Sequence, residues 1–302
     1  MRGALAFLLV VACGCKKPHA TPAGPAELAR DALPAGAQVY ALGGTSATDV
    51  WAVGAGVYHY DGASWSDATP AELRNVALNA LAVVAKGDVW VAGASGHVAH
   101  FDGAKWSVET RGTTSFTGVA AWPGEAWVSD GQNYFRRVSG DAGPDWIAER
   151  SLVGAQLLWT QRENDVWGFP GTKPEHWNGT RWSQPTSFAP AVMRAASGTP
   201  NDLWMVGWEG TVRDGKGAAR HFDGRAWTTP NLPAGTPLLR AVSAPKHDEA
   251  YAVGNDGTAL AWNGGAWRAL VTGTEETLEA VFAPGGGVVF AAGREPYVLH
   301  KR

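Results

Sequence analysis

The chain has 302 residues, of which 45% are hydrophobic and 18% charged, and its formal net charge is −3. A nearly neutral chain without a basic run is not expected to bind nucleic acid. Its two cysteines, Cys13 and Cys15, lie close together near the N-terminus. Neither a disulfide framework nor a cysteine-ligated metal site is therefore expected in the body of the chain.

The N-terminal residues are typical of a secretory signal. Arg2 precedes an apolar run that is far shorter than the roughly 20 residues of a membrane-spanning helix. The following Val10-Val11-Ala12-Cys13 resembles the lipobox of bacterial lipoproteins, in which the signal is cut before a cysteine that then carries lipid. The resemblance implies lipidation at Cys13, with Cys15 as the weaker candidate; an ordinary signal peptide is the alternative. We therefore expect a signal peptide at 1–12 and a lipidated tether at 13–37.

From about residue 38 onward, the sequence repeats itself roughly every 40 residues. Four copies contain an apolar run, Asp-x-Trp, an alternating segment, Asp-Gly or Asn-Gly, and a second Trp, and the remaining three are degenerate but keep the phase. In the first copy, Asp49-Val50-Trp51 leads to Asp61-Gly62 and then Trp65. The first aromatic residues of the seven copies are Trp51, Trp90, Trp127, Trp167, Trp204, Tyr251 and Phe290.

Each copy reads as four short strands, which we call a to d. Strand b is apolar at nearly every position, as in Val50 to Val53, which indicates burial on both faces. The Asp-Gly and Asn-Gly pairs are typical of tight hairpins between strands c and d, in which both turn residues have positive φ. Seven such units predict an all-β fold, a seven-bladed β-propeller of four-stranded antiparallel blades over 38–302. The repeated tryptophans are expected to pack between neighbouring blades.

The seventh copy stops after its third strand, because the chain ends at Arg302. Closed propellers commonly complete such a blade with a strand from the other end of the chain. We expect the tether, and within it residues 16–23, to lie along the outer edge of blade seven.

Histidines and aspartates recur at fixed positions of the repeat. His59, His100, His176 and His221 each stand two residues before the Asp-Gly or Asn-Gly turn, and His300 has the same phase. Equivalent positions on different blades lie too far apart to share one metal ion. We expect these histidines to be structural, and the Asp of Asp-x-Trp to cap backbone N–H groups. No metal site and no cofactor are expected.

A ligand site is expected where the repeat is broken, at the mouth of the central channel. Strand a begins there with variable side chains, which include Tyr40, Asn79, Arg194, Arg240 and Glu279. The loops between strands b and c open on the same face and add Trp208, Glu209, Asp256 and Arg294. Arginines, an acid and a Trp at one mouth are suited to an anionic or sugar ligand. The alternative is a solvated rim with internal salt bridges. No catalytic residue is assigned.

The repeat resembles two families of propeller. Kelch repeats share a strand that ends in Gly and a later Tyr and Trp, as in Val53-Gly54 and Tyr60 to Trp65, although the double Gly of that family is missing. The Asp-box of sialidase-like propellers is similar to Asp61-Gly62-Ala63-Ser64-Trp65, with a shorter spacing and without its Ser. These resemblances imply the architecture and leave the activity open.

The sequence therefore favours a lipid-anchored, non-catalytic binding or scaffold protein of the bacterial cell envelope. Gly14 after Cys13 implies, by resemblance to lipoproteins, the outer membrane. One alternative is a sialidase-like enzyme acting on glycans, with Arg194, Arg240 and Glu279 at its site. Another is an assembly factor for outer-membrane proteins. We expect a monomer that contacts the membrane through its lipid and binds an envelope protein or a glycan.

Overall fold

The structure, a computed structural model, describes residues 27–301 apart from 141–142, 150–156, 163, 170–172 and 186–187. Within these residues the chain forms 28 strands, arranged as seven four-stranded antiparallel sheets. The predicted seven-bladed β-propeller is therefore confirmed. The expected signal peptide at 1–12, the lipidation site Cys13 and most of the tether lie outside the described residues.

Six of the blades follow the chain, each with its four strands in order from the channel outward. The strands of blades one to three are β2 (Val39–Ser46), β3 (Asp49–Gly54), β4 (Val57–Tyr60), β5 (Trp65–Asp67), β6 (Leu78–Ala85), β7 (Asp88–Gly93), β8 (His97–Phe101), β9 (Trp106–Thr110), β10 (Gly118–Trp122), β11 (Glu125–Ser129), β12 (Tyr134–Gly140) and β13 (Gly143–Glu149). Those of blades four to six are β14 (Leu158–Arg162), β15 (Asp165–Gly168), β16 (Glu175–Trp177), β17 (Trp182–Ser183), β18 (Val192–Thr199), β19 (Asp202–Glu209), β20 (Lys216–Phe222), β21 (Trp227–Thr228), β22 (Leu239–Lys246), β23 (Glu249–Gly254), β24 (Ala259–Trp262) and β25 (Trp267–Ala269). Short 3-10 turns occupy Ala71–Leu73 and Ala94–Gly96.

The seventh blade combines both ends of the described chain. Its strands are β26 (Leu278–Gly285), β27 (Val288–Gly293), β28 (Tyr297–Lys301) and, outermost, β1 (Ala29–Ala32). β1 runs antiparallel to β28, with Ala29 opposite His300 and Ala32 opposite Tyr297. A strand from the N-terminal side thus completes the blade, but it begins later than the expected 16–23, which lie outside the described residues.

The position of β1 follows from where two leucines are buried. Leu33, directly after β1, packs with Val39 between blades seven and one, as Leu73 packs with Leu78 between blades one and two. Leu28, directly before β1, packs with Leu270 of blade six. Leu33 therefore marks the connector into the next blade, and the strand that precedes it is the one that pairs with β28.

The core lies between the blades, as the double-sided burial of strand b predicts. All six residues of β3 are buried, and Trp51 on this strand packs with Leu78 and Val89 of blade two. Trp204 on β19 similarly packs with Leu239 of blade six. These contacts confirm that the tryptophans of strand b fill the wedge between neighbouring blades.

The hairpins between strands c and d differ from the expected tight turn. Tyr60 and Trp65 pair across a loop of four residues, and within it only Gly62 has a positive φ, of 97°. The Asp61 carboxylate accepts hydrogen bonds from the backbone N–H groups of Ala63 and Ser64, at 2.8 and 2.9 Å. These backbone donors lower the pKa of Asp61. The turn is therefore held by a side-chain cap and needs one left-handed residue instead of two.

Candidate functional site

The innermost strands surround a central cavity of about 910 Å³. Strand a of each described blade contacts strand a of the next blade, so the starts of these strands share one mouth. Among the nine predicted site residues, the side chains that line this cavity are Tyr40, Asn79, Arg194, Arg240, Glu279 and Arg294. The structure therefore brings together six residues that are separated by up to about 250 positions in the chain.

The mouth is positively charged in a chain that is negative overall. The charged residues among its described lining are three arginines and one glutamate, so the lining carries a net charge of +2 (3 − 1), against −3 for the whole chain. Arg194 belongs to blade five, Arg240 to blade six, and Glu279 and Arg294 to blade seven. The cationic groups are thus confined to one arc of three consecutive blades.

The three arginines differ in how they are held. The Arg240 Nε donates a hydrogen bond to the Asn255 Oδ1 at 2.9 Å, and its Nη1 lies 4.0 Å from the Glu279 Oε2. Arg194 and Arg294 are exposed, and neither guanidinium group forms a hydrogen bond or an ion pair with any described residue. Two guanidinium groups at the mouth are therefore available to an external anion.

The opposite arc, on blades one to three, is polar without charge. The Tyr40 hydroxyl donates to the Gln38 Oε1 at 3.0 Å, and the Asn79 Nδ2 donates to the Phe116 carbonyl oxygen at 2.8 Å. These bonds orient the two side chains and use part of their donor capacity. Farther along the strands, Leu81, Val83 and Phe282 add apolar side chains to the lining. A ligand would meet cations on one side of the mouth and, farther in, these apolar side chains.

The remaining three predicted residues, Trp208, Glu209 and Asp256, are not part of the cavity lining. The insertion in the fifth copy lengthens two strands, so that Glu209 pairs with Lys216 inside the sheet. Trp208 and Glu209 therefore belong to β19 and not to a loop at the mouth. Asp256 is exposed, with a left-handed φ of 54°, while its neighbour Asn255 is the residue that reaches Arg240.

Glu209 serves as the counter-ion of a buried arginine. Its Oε1 accepts a hydrogen bond from the Nη2 of Arg220 at 2.8 Å, and its Oε2 lies 3.3 Å from the Lys216 ammonium. Arg220 is 2% exposed and also donates to the Ala189 carbonyl oxygen. The bond from Arg220 lowers the pKa of the Glu209 carboxyl. A charge pair with this burial is structural, since removing one partner leaves the other charge uncompensated.

The repeated histidines and aspartates form pairs at the other end of the strands. In each pair the histidine Nε2 contacts the Oδ1 of the Asp of Asp-x-Trp: His59–Asp49 at 2.8 Å, His100–Asp88 at 2.9 Å, His176–Asp165 at 2.7 Å and His221–Asp202 at 2.5 Å. Each imidazole also lies against the Trp of its strand b, with ring centroids between 4.1 and 4.5 Å apart. In these four blades the histidine therefore hydrogen-bonds and stacks within its own blade.

The role expected of these aspartates was wrong in one respect. Their hydrogen bonds come from side chains: from the histidines, from the Thr45 hydroxyl for Asp49, and from Arg162 for Asp165. By contrast, the Asp61 carboxylate of the c–d loop caps backbone N–H groups. Burial opposes ionisation of Asp49, but the hydrogen bonds from Thr45 and His59 outweigh it, so the pKa of Asp49 is lowered overall. In the copies that carry both acids, such as Asp49 and Asp61, the two carboxylates thus have separate structural roles.

Comparison with known proteins supports the fold. No protein-family model matches the chain, and the curated proteins contain no significant match. A structure of YCF48 bound to D1 peptide is similar with a TM-score of 0.71 at 17% identity, over 93% of this chain and 99% of that chain. A streptogramin B lyase is similar with a TM-score of 0.73 at 12% identity, over 90% and 96% of the two chains.

A third similar structure is the extracellular domain of a hybrid two component system from B. thetaiotaomicron. Its TM-score is 0.67 at 12% identity, over 92% of this chain and 40% of that chain. Identities this low show a shared propeller fold and nothing about a shared ligand. In the part of the chain that the structure describes, no helix is long and apolar enough to cross a membrane.

Proposed function

We propose that the chain is a lipid-anchored binding protein of the cell envelope, whose channel mouth holds an anionic group of a peptide or protein without catalysing a reaction. The observation that carries this proposal is the arc of Arg194, Arg240 and Arg294, of which two have no partner among the described residues. One similar propeller, YCF48, is bound to a peptide, which supports a binding role for this kind of fold.

The charge balance favours an external anion over internal salt bridges. Glu279 is the one acid among the described lining residues, and it lies beside Arg240. Arg194 and Arg294 therefore have no carboxylate to pair with inside the mouth. Guanidinium groups bind carboxylates and phosphates through two parallel hydrogen bonds, which are strong and directional.

The class of ligand follows from the two halves of the cavity. The cationic arc suits a carboxylate, either the C-terminus of a peptide or an acidic side chain. The apolar lining beyond it, with Leu81 and Phe282, suits a hydrophobic side chain that follows the carboxylate into the channel. We therefore expect an extended peptide segment that combines an acidic group with apolar residues.

The proposed lipid anchor limits how far from the membrane the protein can bind such a ligand. Cys13, the proposed lipidation site, lies 16 residues before Ala29, the first residue of β1 (29 − 13). A fully extended chain of that length reaches at most about 55 Å. The ring would stay close to the outer membrane, where peptides or proteins of the envelope are its partners.

A glycan-active enzyme is the second candidate, because an arginine cluster, Glu279 and Tyr40 share one mouth. In that reading the arginines would bind a sugar carboxylate, and Glu279 and Tyr40 would supply the acid and the nucleophile. The contact of Glu279 with Arg240 and the bond from Tyr40 to Gln38 favour a positioning role for both groups over a catalytic one. An assembly factor for outer-membrane proteins would use the same binding site and would differ only in the partner that it binds.

The test is crosslinking and affinity purification from the native envelope with three baits. The first is the wild-type chain, and the second carries Arg194→Ala and Arg294→Ala. The third, a matched control, loses two exposed hairpin arginines, through Arg181→Ala and Arg225→Ala. We expect a partner with the wild type and the control that is lost at least tenfold with the channel variant. Equal recovery with all three baits would contradict the proposal, and cleavage of a sialylated glycan by the wild type alone would favour the enzyme.

A further inference from the structure

Three potential metal ligands meet where blade five contacts blade six. The Asp202 Oδ1 lies 2.5 Å from the His221 Nε2, and its Oδ2 lies 3.2 Å from the His247 Nδ1. One ligand atom from each side chain falls within 4.8 Å of the others. Asp202 and His221 belong to strands β19 and β20, whereas His247 lies in the a–b turn of blade six.

His247 is not required by the repeat. The pair of Asp202 and His221 has counterparts in blades one, two and four, so it is part of the fold. The residue two positions before the Asp of Asp-x-Trp, which His247 occupies in the sixth copy, is never a histidine in the others: it is Ala47, Lys86, Pro123, Glu163, Pro200 and Gly286. A third ligand has thus been added to one of several otherwise similar pairs.

We propose that Asp202, His221 and His247 bind one divalent first-row transition metal ion, of which Zn²⁺ is the representative, with water at the fourth position. Imidazole nitrogens and a carboxylate oxygen are the ligands that Zn²⁺ takes in such sites. Zinc bonds of 2.0–2.2 Å in a tetrahedron place ligand atoms about 3.4 Å apart. Because the three ligand atoms lie within 4.8 Å of one another, the largest separation has to shorten by about 1.4 Å or less.

The surroundings hold the ligands in place and leave the site open. The Trp204 ring stacks on His221 with centroids 4.2 Å apart, and the Trp262 Nε1 donates to the His247 carbonyl oxygen at 3.3 Å. Both contacts restrict the ligating residues without using the ligand atoms. The His247 side chain is 74% exposed, while Asp202 is 18% exposed, so an ion and its water can enter from solvent.

The bound ion would join two blades that otherwise meet through apolar packing and hydrogen bonds. Two ligands come from blade five and one from blade six, so the metal closes a link across their boundary. Because the unfolded chain does not assemble the three ligands, zinc binding would stabilise the folded ring.

The test is calorimetric titration of ZnCl₂ into the full chain without a polyhistidine tag. Cys13→Ser and Cys15→Ser are introduced in every sample, because thiolates would themselves bind zinc. We expect one ion per chain and a rise in the unfolding temperature with zinc. His247→Ala, at an exposed position, should weaken binding at least tenfold and abolish that rise.

His59→Ala is the control, since it removes the counterpart of His221 from an Asp–His pair that lacks a third ligand. It should leave zinc affinity and stoichiometry unchanged, and circular dichroism would show that both variants fold. Zinc bound equally by the parent and His247→Ala would overturn the proposal. So would equal weakening by His59→Ala, or the absence of saturable binding to the parent, which would make the cluster a hydrogen-bonded group only.

Discussion

The two ends of the blades differ in whether their residues repeat from blade to blade and in whether their side chains are paired. At the end with the a–b turns, the same Trp, His and Asp recur, and each histidine is bonded to a carboxylate, as in His59–Asp49 and His176–Asp165. At the channel mouth the residues differ from blade to blade, and Arg194 and Arg294 are exposed without a described partner. The repeated side chains are thus paired with one another, whereas two of the variable side chains at the mouth are available to a ligand.

This difference separates the residues that stabilise the fold from the residues that are available for recognition of a ligand. Groups that repeat with the fold are buried against the next blade, so their loss would leave cavities or unpaired charges. Groups at the mouth are hydrated in the free protein, so their loss would cost little until a ligand is present. The following predictions are ordered by the expected size of the effect.

The largest effect is expected at the interblade tryptophans. Trp204 is fully buried between blades five and six, and Trp204→Ala should lower the free energy of unfolding by about 3–5 kcal/mol through lost burial and a cavity. Chemical denaturation followed by circular dichroism measures this. A loss below about 1 kcal/mol would show that the wedge between the blades can collapse around the missing ring.

An intermediate effect, dependent on pH, is expected at Asp165. Burial opposes its ionisation, but hydrogen bonds from His176 and Arg162 prevail and lower its pKa. The ionised carboxylate therefore stabilises the fold fully above the unfolded pKa of about 3.9, and this contribution is lost as the pH falls through the lower folded pKa.

Asp165→Asn should accordingly cost about 1–2 kcal/mol at pH 7 and less at pH 2.5. Urea denaturation of the wild type and the variant at both values would show the difference narrowing as the pH falls. A cost that is the same at both values would mean that the hydrogen-bond geometry, and not the charge, is what Asp165 contributes.

The smallest effect is expected at the channel mouth. Arg194→Ala combined with Arg294→Ala should change the free energy of unfolding by less than about 0.5 kcal/mol, because both side chains are exposed and without a described partner. A larger loss in denaturation experiments would place these arginines with the structural groups and remove the basis of the binding proposal.

The sequence predicted the blades well because their determinants are local. Apolar strand b, the Asp-Gly loops and the recurring aromatic residues all fall within one copy, so the number of blades follows from counting. The closing strand was placed too early, since Ala29-Arg30-Asp31-Ala32 has no Trp and is specified by a partner at the far end of the chain. Pairing between distant segments leaves little trace in either segment alone.

The positions of the candidate site residues could be predicted in part, for a similar reason. The starts of strand a are fixed by the repeat, so the sequence alone places Arg194, Arg240 and Glu279 at the mouth. The position of Glu209 could not be predicted in this way. It depends on the contact with Arg220, a strand residue outside the repeated motif, and on how far the insertion in the fifth copy extends the sheet. His247 beside Asp202 is likewise a contact between blades, which no pattern within one copy reveals.

The closing strand also determines when the ring can close during synthesis of the chain. β1 is the first of the described strands to be made and its partner β28 is the last, with Asp31 bonded to His300 across 269 positions. Six blades can form as they emerge, whereas the ring must stay open, with an unpaired strand edge, until β28 has been made. A chain terminated before β28 would therefore be unable to close the ring.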